Sequence, residues 1–108
     1  AKEGRPLSAL LSDLPPVVST PEIRVDCPDE VKFRVVKEVA RIVAPKARAV
    51  IDVDGIRALF DGGWGLVRAS NTQPVLVLRF EGRDEAAVRR IRGVVEGAVE
   101  RARTSVGA

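Results

Sequence analysis

Apolar residues recur along this chain with two spacings, and the switches between them mark its elements. From Glu22 to Cys27 they alternate, with Ile23, Val25 and Cys27 set against Glu22, Arg24 and Asp26. A period of two places each set on its own face, the pattern of a half-buried strand. Pro28 suits the first position of a helix, and Asp29 and Glu30 favour the positive end of its dipole. Val31, Val35, Val39 and Ile42 follow at helical spacing and predict a helix to about Val43, stopped by Ala44-Pro45. Val50 to Leu59 reads as two short strands joined at Asp54-Gly55, a dipeptide suited to a tight hairpin. Asp61-Gly62-Gly63 turns the chain into a strand beginning near Trp64. After a polar loop comes another strand, with Leu76, Leu78 and Phe80 on one face and Val75, Val77, Arg79 and Glu81 on the other. Asp84 is placed to cap a last helix, whose seam is Val88, Ile91, Val95, Ala98 and Val99. Arg92 with Glu96, and Glu100 with Arg103, belong to its solvated side.

Strand, helix, several short strands and helix, with hairpin-length connections, predict an α+β two-layer domain. Its antiparallel sheet has about four strands, with two helices on one face. Leu76, Leu78 and Phe80 belong under the helices, and the apolar residues of the opposite face imply a neighbour, such as another domain. Before this pattern begins, Leu7, Leu10, Leu11 and Leu14 recur at helical spacing, with Ser8 as a cap and Pro15-Pro16 as the stop. Two one-sided turns do not stand alone in water. Residues 1–20 are therefore expected to be a flexible tail and linker, 21–104 the domain, and 105–108 a frayed end.

Composition narrows the chemistry. A chain of 108 residues, 45% apolar, holds one domain with one modest core. No apolar run approaches the ~20 residues of a membrane span, so no membrane partner and no signal peptide are expected. The net charge is +3, with acids and bases interleaved, and 4% of residues are aromatic. That offers neither a basic stripe nor a stacking platform, so nucleic acid is not an expected partner. Cys27 is the only cysteine, so no intrachain disulfide can form, which suits a reducing, cytoplasmic setting. With no histidine in the chain, Ser–His–Asp and Cys–His nucleophiles and most zinc sites are excluded, and Cys27 reads as a small core residue. Asp52-x-Asp54-Gly55 lacks the later carboxylates of a calcium loop and reads as a turn. Trp64 reads as a packing anchor at the sheet rim.

The stretch that carries chemistry is GWGLVRASNTQPVLVLRFE. Its first apolar run ends at Arg68, and Ser70, Asn71, Thr72 and Gln73 follow before Pro74 stops the loop. An arginine offers a planar fork of donors with a fixed charge, suited to a phosphate or carboxylate. Ser70 and Thr72 add hydroxyl donors, Asn71 tolerates a left-handed backbone, and a tight turn can aim successive N–H groups into one concavity. Spacing alone is equally compatible with an ordinary hairpin loop whose arginine is solvated.

RASNTQP within GWGLVRASNTQPVLVLRFEG resembles the phosphate-binding loop in the last domain of the α-D-phosphohexomutases, the phosphomannomutase/phosphoglucomutase family. The Asn form with the GWGLVRAS lead-in is most similar to the enzymes that handle mannose and glucose phosphates. The resemblance continues through STPEIRVDCPDEVKF and IDVDGIRALF, covering about Ser19 to Arg101. It implies a fold similar in shape to the TATA-binding-protein type, which is no reason to expect DNA binding. A segment like LSALLSDLP closes the preceding sugar-binding domain in that family.

The resemblance further implies a parent enzyme that interconverts hexose 1- and 6-phosphates through a bisphosphorylated sugar. A phosphoserine, a magnesium-binding aspartate loop and a sugar-reading loop would lie in its other three domains. The cofactors implied for the parent are magnesium and a hexose 1,6-bisphosphate activator, none of them held by this chain, to which no catalytic residue is assigned. Arg68, Ser70, Asn71 and Thr72 match the positions that grip the phosphate not being transferred, and Gln73 falls at a variable one. The partners would be glucose and mannose phosphates and the other domains. The competing reading is a stand-alone module that binds anions or RNA through the same loop.

Overall fold

The computed structural model describes residues 17–52 and 55–107. Its elements are β1 (Val18–Ser19), β2 (Ile23–Asp26), α1 (Lys32–Val43), β3 (Ala49–Ile51), β4 (Ile56–Phe60), β5 (Gly63–Ala69), β6 (Val75–Gly82) and α2 (Glu85–Val106). The strands form one antiparallel sheet in the order β1-β6-β5-β4-β3, with β2 also paired to β6. Among the described residues there are six strands rather than about four: five lie where the sequence placed strands, the short β3 being the first of the two read between Val50 and Leu59, and β1 is additional.

β1 and β2 are one edge strand broken at a bulge. Ser19 pairs with Glu81 and Ile23 with Leu78, so the edge carries one residue more than β6 over that interval. Pro21 lies in the gap, where a residue without an N–H costs no ladder bond. Thr20 spans the break: its N–H donates to the Phe80 carbonyl at 3.0 Å and its hydroxyl oxygen accepts the Phe80 N–H at 3.1 Å. Val18 to Thr20, placed with the linker by composition, are thus tied to the sheet. Two residues are too short a run for alternation to reveal a strand. The Leu7–Leu14 segment lies outside the described residues.

Both helices cover the same face. Ile56 and Ala58, Val67 and Ala69, and Leu76, Leu78 and Phe80 form one buried cluster with Val35, Val39 and Val43 of α1 and Ile91, Val95 and Val99 of α2. The expected α2 seam is buried throughout, and Asp84 accepts the Ala87 N–H at 2.8 Å as its cap. The solvated pairs expected on α2 form, Arg92 to Glu96 at 3.0 Å and Arg103 to Glu100 at 2.9 Å. α2 continues two residues past Thr104 and closes on Gly107, whose φ is 77°. α1 begins at Lys32, with Pro28 to Val31 forming a turn before it. Its buried stripe is Lys32, Val35, Val36, Val39 and Val43, leaving Val31 and Ile42 half-buried.

The other face of the sheet is not simply polar. Trp64 and Leu66 are half-buried there, and the Arg57 guanidinium lies 4.7 Å from the centre of the Trp64 ring. Val77 is 6% exposed, with Arg24 and Arg68 as its two cross-strand partners.

Two glycines define opposite tolerances. A Cβ on Gly63 would stand 2.1 Å from the Glu81 carbonyl oxygen and 2.9 Å from Ile91 Cδ1, whereas one on Gly93 meets nothing within 4 Å. Gly63→Ala is expected to cost about 3 kcal/mol through displaced backbone. Gly93→Ala is expected to add about 0.5–1 kcal/mol through helix propensity. Urea unfolding midpoints check both.

Cys27 is buried, and burial pushes its thiol pKa above the ordinary value, against the nearby charges of Arg103 and Lys32. A thiol whose folded pKa is raised adds stability below its unfolded pKa and loses it as pH rises through the folded value. At pH 8 Cys27 is therefore protonated and shielded, and iodoacetamide should label the native chain about 100-fold more slowly than the urea-unfolded chain. Equal labelling rates would contradict this burial.

Candidate functional site

The polar loop is pinned at both ends. Pairing of β5 with β6 ends at Ala69 opposite Leu76, and the Ser70 N–H then donates to the Val75 carbonyl at 3.0 Å. From the neighbouring edge, the Cys27 N–H donates to the Pro74 carbonyl at 2.8 Å. Inside the turn, the Ser70 hydroxyl oxygen accepts from the N–H groups of Thr72 at 3.3 Å and Gln73 at 3.2 Å. A serine organising the amides two and three residues on is a known turn device. The amides of Thr72 and Gln73 do converge, but on the Ser70 oxygen. Among the described residues, no protein acceptor is bonded to the Asn71 N–H.

A lysine holds the loop from beneath. Lys32 Nζ donates to the Ser70 carbonyl at 2.5 Å and the Gln73 carbonyl at 3.2 Å, and pairs with Asp29 at 2.8 Å. It is 5% exposed, the buried charged side chain of the described core. Three donors meeting three oxygens is what allows an ammonium to be buried. On the outer side, Arg24 Nη1 donates to Gln73 Oε1 at 3.1 Å, tying β2 to the loop.

Arg68 is the penultimate residue of β5, exposed on the open face of the sheet. It and Asn71 line one pocket of about 160 Å³, whose other walls are Phe33, Val36 and Lys37 of α1, Asp52, Gly55 and Ala69. Two cations face one carboxylate there, so the lining carries a net positive charge. Gly55 lies close against β5: its φ is 98°, and an added Cβ would lie 2.7 Å from the Val67 carbonyl oxygen. Its predicted turn partner Asp54 lies outside the described residues.

The structure thus brings Arg68 and Asn71 to one pocket, sets Ser70 at the base of the turn with its hydroxyl as the organising acceptor, and leaves Thr72 exposed at the tip. Lys32, Arg24 and Lys37 were not among the residues singled out in the sequence. Lys32 had a signal, since it falls in helical phase with Val35, Val36 and Val39, where a charge must find partners. Arg24 and Lys37 had none, because their proximity to the loop is set by strand order and helix docking. Among the described residues no three acidic or cysteine side chains cluster as metal ligands, and no helix is long and apolar enough to cross a membrane.

Comparison with known proteins identifies the family. Residues 22–98 match the family described as phosphoglucomutase/phosphomannomutase, C-terminal domain. The chain is 45% identical over 85 residues to a phosphomannomutase/phosphoglucomutase of Pseudomonas putida, covering 79% of this chain and 18% of that protein. It is 40% identical over 95 residues to a phosphoglucomutase of Neisseria gonorrhoeae, covering 86% and 21%. A crystal structure of a phosphoglucomutase/phosphomannomutase family protein from Burkholderia thailandensis superposes with a TM-score of 0.70 at 37% identity, covering 89% of this chain and 20% of that one. The chain spans about a fifth of the length of the curated relatives it matches. With its open antiparallel sheet, two helices and pinned Arg68–Pro74 loop, the chain belongs to the phosphoglucomutase/phosphomannomutase C-terminal domain family.

Proposed function

We propose that this chain is the phosphate-gripping domain of a hexose-phosphate mutase, holding the phosphate that is not being transferred while the sugar is isomerised between 1- and 6-phosphates. The observation that carries the reading is the pocket shared by Arg68 and Asn71, at a loop whose backbone is tied to the sheet on both sides. Arg68 would supply the bidentate fork and the Asn71 N–H a backbone donor. The Ser70 hydroxyl keeps its own proton to donate, and Thr72 would close from the tip.

Gripping a remote phosphate contributes to catalysis by orientation, and the same grip must accept both orientations of a bisphosphorylated intermediate. The transferring phosphoserine, the magnesium loop and the sugar-reading loop would belong to the other domains of a cytoplasmic parent, activated by a hexose 1,6-bisphosphate. Magnesium is assigned to those other domains in this reading, and no step on this chain is routed through a metal.

Two measurements test the reading. In a titration of the chain with inorganic phosphate or glucose 1-phosphate, the largest amide shifts are expected at Arg68 to Gln73. The expected Kd is on the order of 1 mM, about 4 kcal/mol, since an open loop without its neighbouring domains stays screened and partly hydrated. Arg68→Ala should abolish the response, Arg68→Lys should weaken it several-fold, and Arg89→Ala on the exposed side of α2 should leave it unchanged. Shifts confined to the helical arginines would remove the assignment. The chain alone is also expected to show no turnover of glucose 1-phosphate, because positioning without a phosphoryl donor does no chemistry. Activity above a contaminant control would refute this.

A further inference from the structure

Lys32 presents a problem that packing alone does not solve. It lies on the buried stripe of α1, in phase with Val35, Val36 and Val39, where an aliphatic side chain would fill the same space without desolvating a charge. Its Nζ spends two of its three donors on backbone carbonyls of the loop, and the third on Asp29, whose side chain is 64% exposed. Both carbonyls belong to the turn that carries the candidate anion site.

Peptide geometry says what this does. All the described peptide bonds are trans, and in a trans unit the carbonyl and the following N–H point in opposite directions. Ser70 contributes the carbonyl of the peptide whose N–H belongs to Asn71. Drawing that oxygen down onto Lys32 turns the Asn71 N–H away from the Lys32 ammonium. The other carbonyl, Gln73, precedes Pro74, so its peptide has no N–H to misdirect, and it also accepts the Val75 N–H at 2.8 Å. The remaining amides are already committed, Ser70 to Val75 and Thr72 and Gln73 to the Ser70 hydroxyl. Asn71 is left as the loop's remaining backbone donor, and it lines the pocket with Arg68.

We infer that Lys32 is the positioning residue of the anion loop: its buried ammonium clamps the Ser70 and Gln73 carbonyls so that the Asn71 N–H and Arg68 address one phosphate oxygen shell. The inference rests on the phosphate-gripping reading above and adds to it a residue that touches no ligand. The lysine also places a fixed positive charge beneath the turn, on the side opposite the anion. Because Lys32 begins α1, and Phe33, Val36 and Lys37 continue it into the pocket wall, the same helix sets both the floor of the loop and the side of the site.

The test compares the 108-residue chain with Lys32→Met and Lys32→Arg. In phosphate-free buffer, amide exchange of Thr72 and Gln73 in Lys32→Met should accelerate at least about tenfold, while Leu76 and Leu78 in β6 stay within about twofold of the unaltered chain. The Kd for inorganic phosphate should rise about tenfold, as expected for losing the alignment of a charge-assisted bond. Lys32→Arg, which keeps the charge and can bond both carbonyls, should recover most of that affinity. Should Lys32→Met fail to fold, Lys32→Gln carries the same comparison.

An unchanged phosphate Kd and unchanged loop exchange in Lys32→Met would overturn the inference, while the Arg68 result would leave the phosphate reading standing. Equal acceleration across β6 and the loop would also overturn it, by reducing Lys32 to a general stabiliser. An unaltered chain whose 68–73 amides ignore phosphate would overturn both readings together.

Discussion

β6 is hydrogen-bonded along both of its edges, and the rest of the domain depends on that pairing. β5 runs against it from Gly63 to Ala69, and the other edge carries β2 and then, past the bulge, β1. With its backbone satisfied on both sides, β6 can be buried on both faces: Leu76, Leu78 and Phe80 under the helices, Val77 between two arginines on the opposite side. A slip of β6 by one residue would exchange those faces and bring Arg79 and Glu81 beneath the helices. Register in this hairpin and integrity of the candidate site are therefore one constraint.

The loop inherits its rigidity from that frame. It leaves β5 and enters β6 within five residues, and its attachments draw on three elements: Val75 of β6, Arg24 and Cys27 of the β2 edge, and Lys32 of α1. A short segment held from three elements would lose little further freedom on binding an anion, which is the physical content of preorganisation. The cost is a charge placed in the core, made tolerable because every proton on the ammonium has an acceptor. Arginine and lysine divide the work according to their chemistry. Arg68 is exposed on the open face of the sheet, and the compact ammonium of Lys32 fits beneath the turn.

The open face of the sheet connects the site to the rest of the domain's surface. Arg24, Val77 and Arg68 form one row across three strands, and the next row places Arg79 beside Leu66 and Arg57. Arg57 covers the Trp64 ring, so the tryptophan expected as a rim anchor is held through its face as well as through its neighbours in the sheet. Mixed rows of this kind keep apolar surface covered by the stems of charged side chains.

Much of this was legible in the residues themselves. Alternation at Ile23–Asp26 and Val75–Phe80, the seam of α2, its Asp84 cap and the glycines of the tight turns are local signals, and they specified a two-layer α+β domain with Arg68 at the end of one strand and Ser70, Asn71 and Thr72 on the loop that follows. Sequence could not show that Val18 to Thr20 join the sheet, because two residues carry no period and Thr20 is recruited through contacts with Phe80, sixty residues away. Nor could it show which loop donors face outward. That depends on where the Ser70 hydroxyl and the Lys32 ammonium come to rest, and Lys32 reaches the loop across thirty-eight residues. Local propensity determined the elements and the kinds of chemistry on them. The direction of each donor was decided by the docking of α1 against β4, β5 and the loop, because a hydrogen bond is fixed by the position of both partners and only one of them lies in the loop.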